Sequence, residues 1–126
     1  IDSGLCCHLL GIRNISHLET HPLLGHIIES YVVSELYKNT ANHGKSPQFY
    51  HWRDQHGNEV DLLIETDSGL LLPIEIKAGQ TFSKKMLGPL MKWKELAEID
   101  KGYVLYGGTK SYDINDIHIL PINQVI

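Results

Sequence analysis

Cysteine is nearly missing from this chain of 126 residues, and its only two, Cys6 and Cys7, are adjacent. Neighbouring cysteines rarely bridge each other and no CxxC pair exists, so a disulfide framework is excluded and a reducing cytoplasm is the expected setting. Long hydrophobic runs are missing too. No apolar segment is long enough to span a bilayer, and no signal-peptide pattern opens the chain. A glycine-rich phosphate loop, a nucleophile elbow and a Cys–His pair in a suitable context are all lacking, which leaves a small-molecule enzyme with little support. Internal repeats and low-complexity tracts are absent. Net positive charge is absent as well: the formal charge is −4, which argues against a general nucleic-acid-coating protein. The first residue is Ile1 rather than Met. The expectation is a piece of a longer protein, with residues 1–21 as a remnant or linker from an upstream domain and residues 22–126 as the domain proper.

What is present is ordinary for one globular domain with a real core, 42% hydrophobic and 21% charged. Leu5 to Leu10 reads as one or two helical turns, and Ile12 to His21 as irregular or weakly helical. Pro22 opens the clearest helix, running to about Asn39. Its apolar stripe is Leu24, Ile27, Ile28, Tyr31, Val32 and Leu36. Glu29 falls at the edge of that stripe and Glu35 near its middle, where an acid needs a partner or a job. Strands follow at Phe49 to Arg53, Val60 to Glu65 and Leu70 to Lys77, with turns at Asp54 to Asn58 and Thr66 to Gly69. Ser83 caps a helix from about Lys84 to Ile99, with a kink or restart at Gly88-Pro89. Gly102 to Tyr106 is a short buried strand closed by the turn Gly107-Gly108, and Ile117 to Ile122 reads as a last edge strand. The order α-β-β-β-α-β-β predicts an α/β fold, a mixed central sheet flanked by helices.

The chemistry concentrates on one hairpin. If its turn centres on Ser68, Asp61 lies opposite Glu75, and alternation puts Glu75 and Lys77 on one face with Ile76 on the other. Two carboxylates facing each other across strands weaken a sheet, unless a cation sits between them. A hard divalent ion held by carboxylate oxygens beside a lysine is equipment for attack on a phosphate ester. A Glu/Asp-x-Lys triplet is expected about once by chance at this composition, so its context carries the signal. The competing reading is a salt-bridged hairpin in which Glu59 pairs with Lys77 across the strands. The lysines at 77, 84, 85, 92, 94 and 101 form a basic flank that suits a polyanion, or a merely solvated helix face. The nearest histidine set, His17, His21 and His26, is interrupted by Pro22 and lacks the usual zinc spacing.

Helical Glu29, then Asp61, then Glu75-Ile76-Lys77 resembles the PD-(D/E)XK nuclease superfamily. More narrowly, Asp2 to Leu5 leading to Leu10-Gly11, Glu29 to Leu36, Tyr50 to Arg53, Gly57 to Asp61 and Pro73 to Lys77 together resemble the C-terminal domain of unknown function of prokaryotic AAA-type ATPases. The likeness covers nearly the whole chain. It implies a restriction-endonuclease-like αβββαβ core over residues 22–126. It further implies Mg²⁺ or Mn²⁺ held by Asp61, Glu75 and the Ile76 carbonyl, Lys77 acting on the attacking water or the phosphate, and Glu29 supporting a second metal or a water. Glu35 is left to a pairing with Arg53 or a sheet lysine. Val60 stands where the superfamily's name has proline, and the ATPase phosphate loop lies outside this sequence. The implied partners are nucleic acid, DNA first, and the upstream ATPase domain; a homo-oligomer stays open, and no membrane partner is expected. The alternative is a catalytically silent module of the same fold that binds nucleic acid or protein and regulates the attached ATPase.

Overall fold

A computed structural model describes residues 2–126; Ile1, the first residue of the expected remnant, lies outside them. Two short helices come first, α1 (Ser3–Leu9) and α2 (Ile15–Glu19). Each is capped by an acceptor side chain three residues back: Leu5 N–H donates to Asp2 at 3.0 Å and His17 N–H to Asn14 at 2.8 Å. The longest helix, α3, spans Leu24–Asn42. It begins two residues after Pro22, which sits in the preceding turn, and runs three residues beyond the expected end.

Strands β1 (Phe49–Arg53), β2 (Glu59–Glu65) and β3 (Leu71–Lys77) form an antiparallel meander. One 3₁₀ turn, Lys84–Leu87, then leads into α4 (Gly88–Ala97), so Gly88-Pro89 restarts the helix. Proline fits there because the first turn of a helix needs no N–H from it. The chain returns as β4 (Gly102–Tyr106), parallel to β3, a pairing that requires such a crossover. The sequence from α3 to β4 therefore runs α-β-β-β-α-β, as expected. Two more strands finish the sheet, β5 (Tyr112–Ile114) and β6 (Ile117–Pro121), and its order is β1-β2-β3-β4-β6-β5.

The last point corrects the sequence reading. The strand at Ile117 is not an edge; it lies between β4 and the unexpected β5. Asn115 and Asp116 both take positive φ, 50° and 62°, in the two-residue connection, the twist that a tight hairpin demands. Helices cover both faces. Val32, with Ile28, Val33 and Leu36 of α3, packs on Leu62, Ile74, Ile76 and Leu105. Leu87 and Leu90 pack on the other side with Val60, Leu63, Val104, Ile117 and Ile119. Trp93 joins that second core, its indole N–H donating to Leu71 O at 3.0 Å and its ring 5.3 Å from Trp52. Leu96, three residues further along α4, is exposed.

Two residues of the expected apolar stripe behave differently. Tyr31 is 41% exposed. Glu35 meets neither Arg53 nor a sheet lysine; its carboxylate pairs with Lys38 one turn along α3, at 2.5 Å.

Candidate metal centre

The site begins with an irregularity in β2. Tyr50 pairs with Leu63, and Trp52 pairs with Val60. One residue, His51, therefore stands against two, Asp61 and Leu62: a β-bulge. The extra residue reverses the alternation, which is why Val60 and Leu63 both belong to the core beneath α4. It also ends the pairing with β3. The β2–β3 ladder runs from Glu65↔Leu71 to Leu62↔Ile74. Continued one step, this register would set Asp61 level with Glu75. There the ladder stops, and the Asp61 carboxylate takes over: its Oδ2 accepts the Ile76 N–H at 2.7 Å. A side chain thus satisfies the backbone donor that the bulge has stranded.

β3 supplies the rest. Ile76 is buried in the cluster under α3, and Glu75 and Lys77 alternate to the opposite face. Glu75 is only 3% exposed, the one buried charged residue among those described. Its Oε1 meets the Lys77 amine at 2.5 Å, and its Oε2 is buried with no hydrogen-bond partner. The expected Glu59–Lys77 bridge does not form; Glu59 stands opposite Arg53 in β1, and Lys77 turns to Glu75. Glu29 lies at the rim on α3, with His26 Nδ1 4.0 Å away.

The electrostatics tie these groups together. Burial, then the charge of Asp61, pushes Glu75 up to about 7, against the opposing hydrogen bond and charge of Lys77 and the Asp61 N–H. Burial also raises Asp61, opposed by the Ile76 N–H and by Lys77. Burial and then Asp61 raise Glu29. Lys77 is raised as well: burial works against its charge, but the Glu75 hydrogen bond and the surrounding acids outweigh it. The positive charge that His51 can carry favours ionisation of both Asp61 and Glu29. The sequence reading passed over His51; its signal was its place across the strand from Asp61.

Asp61 and Glu75 are two carboxylates, one of them with a buried oxygen that has no side-chain partner, and carboxylate oxygens are the ligand type that hard cations take. Among the described residues no group of three or more His, Cys, Asp and Glu is arranged to hold a metal. Asp61 and Glu75 are two, and Mg²⁺ needs only one or two protein carboxylates because it keeps several waters. The basic flank divides. Lys92 is engaged with Asp54 at 3.2 Å and Lys94 with Asn115 O at 2.7 Å, whereas Lys84, Lys85 and Lys101 are exposed.

Fold and site define a mixed α/β domain that holds two acids and a lysine where its sheet comes apart. The sequence pattern of the family described as "Domain of unknown function (DUF4143)" matches residues 24–125, and the chain belongs to that family. Uncharacterized proteins of Mycobacterium bovis and Mycobacterium tuberculosis are each 32% identical to it over 99% of the chain. The chain spans only 27% of the length of these curated relatives. No solved structure matches it. No described helix is long and apolar enough to cross a membrane.

Proposed function

We propose that this domain is a metal-dependent phosphodiesterase of the PD-(D/E)XK nuclease type, acting on DNA or RNA within a longer ATPase. The observation that carries the reading is Glu75, a buried carboxylate whose Oε1 meets the Lys77 amine and whose Oε2 has no side-chain partner, with the Asp61 charge and N–H acting on it. Leaving such an oxygen bare costs about 1–3 kcal/mol or more for a charged group, so a cation in that place would offset a real penalty. Asp61, Glu75 and the Ile76 carbonyl would hold Mg²⁺ or Mn²⁺. When bound, the ion supplies a positive charge against the phosphate and lowers the pKa of a water.

The chain's own groups do the rest. Lys77 is anchored through Glu75 yet 38% exposed, so its amine can reach a nonbridging oxygen of an incoming phosphate as a compact point charge. Asp61 is held in place by the Ile76 N–H at 2.7 Å. Glu29, raised toward the protonated form, would orient a water at the rim. The share of the relatives' length outside this chain leaves room for the ATPase.

The same Lys77–Glu75 pair supports a second reading. An amine already bound to the acid neutralises it, and a silent module that regulates the ATPase needs nothing more. Cleavage of a mixed DNA and RNA substrate in Mn²⁺ separates the two. The nuclease reading expects wild-type cleavage and loss of at least a hundredfold in Lys77→Ala, with an unchanged circular dichroism spectrum. Cleavage that survives Lys77→Ala, or that never occurs, removes it.

A further inference from the structure

The C-terminal ends of β3 and β4 lie side by side, Lys77 against Tyr106. Just beyond them, Gly107 N–H donates to Gly79 O at 2.9 Å. The Tyr106 hydroxyl then closes the next loop on itself, donating to Lys110 O at 2.6 Å and accepting from Lys110 N–H at 3.2 Å. Neither glycine is an idle turn residue. A Cβ on Gly107 would lie 2.4 Å from Ala78 O, and one on Gly108 2.2 Å from the Tyr106 ring. The loop is built tightly, with Gly107 and Thr109 exposed on it. The N–H groups of Gly108 and Thr109 have no hydrogen-bond partner among the described residues. Lys110 follows them, exposed.

A cleft of about 340 Å³ opens here, where Tyr31 faces the Gly107 to Thr109 loop and Asn123, with Ile122 and Ile126 as apolar lining. That volume is at the small end for ligand sites and suits one nucleotide, not a duplex. Tyr31 arrives from α3. It lies about 200° round the helix from Glu29, so α3 offers Glu29 on the β2 side of β3 and Tyr31 on the β4 side. In strand order, Lys77 on β3 lies between Asp61 on β2 and the cleft beyond the end of β4. Free backbone N–H groups beside a lysine suit a phosphate, and an exposed aromatic ring suits a base.

We infer that this cleft seats one nucleotide of a single-stranded segment next to the scissile phosphate. Its phosphate lies at the Gly108 and Thr109 N–H groups, and its base stacks on Tyr31. The inference rests on the nuclease reading for what happens at Lys77, but its test needs no cleavage.

Fluorescence anisotropy of a labelled oligothymidylate, in EDTA and in Ca²⁺, measures the binding directly. Tyr31→Ala should weaken it about tenfold, since stacking on one base is worth roughly that much. Tyr31→Leu, which keeps bulk without a ring, should repeat the loss. Thr109→Pro, which removes one N–H, should weaken it as well. Lys45→Ala, a charge removed from the loop at the start of β1, should change it less than twofold. Equal affinity in wild type and both Tyr31 variants overturns the inference, and so does a wild type that does not bind. An equal loss in Lys45→Ala also overturns it, because binding would then follow overall charge. Binding that depends on Tyr31 without any cleavage, in any of these proteins, would sink the nuclease reading alone.

Discussion

Glu75 concentrates the strain of this domain in one carboxyl. Its ordinary value of 4.5 is raised to about 7 in the folded protein, so between those values the native chain keeps a proton that the unfolded chain has released. Glu75 therefore contributes most to the stability of the metal-free protein below the lower value, and that contribution is lost as pH climbs through the window and levels off above the upper one. Asp61, raised in the same sense, adds to the slope. Glu75→Gln should flatten it and raise stability above pH 7 by an amount on the order of 2–3 kcal/mol. Urea unfolding at stepped pH reads this out; parallel curves for the two proteins would contradict it. At this scale much could be read from the sequence. Alternation placed Glu75 with Lys77 and opposite to Ile76, and the turn at Thr66 to Gly69 set the register that brings Asp61 near. The partner choice could not be read. Whether Lys77 meets Glu59 or Glu75 depends on where the ladder stops, and one inserted residue in β2 decides that.

The elements themselves were legible wherever local chemistry was strong. Ser83 was read as a cap and accepts the Lys85 N–H, Gly69 has the positive φ its turn requires, at 81°, and β4 falls on the expected residues. The failures share a cause. β5 has three residues, two of them exposed, too few for a period to emerge, and its absence made β6 look like an edge. The bulge is likewise invisible to a strict alternation, although Val60 and Leu63, three apart and both core, carry its trace. Gly107-Gly108 was read as a turn because sequence gives no sight of Ala78 O or the Tyr106 ring. Gly107→Ala should therefore destabilise the protein by about 2–3 kcal/mol, as overpacking against fixed backbone does, measured by the urea midpoint. An unchanged midpoint would mean that the loop is loose and not built.

As a whole molecule, the domain is a six-stranded sheet with α3 on one face and α4 on the other, and Asp61, Glu75 and Lys77 gather where β2 leaves β3. The order of elements and the mixed sheet followed from hydrophobic period and turn chemistry; the long-range pairing of β4 with β6 did not, since no local signal encodes it. Because α4 and the turn before it close this face, Leu90→Ala, at a position with no exposure, should cost about 2–5 kcal/mol in a single cooperative transition by calorimetry. Two separate transitions would show that the layers are independent. The central claim is that the parted strands grip a divalent ion, and calorimetric titration of Mn²⁺ above pH 7 tests it most directly. The account predicts one saturable site in the wild-type protein, weakened at least tenfold in both Asp61→Ala and Glu75→Gln. Equal heats and affinities in all three proteins would contradict it.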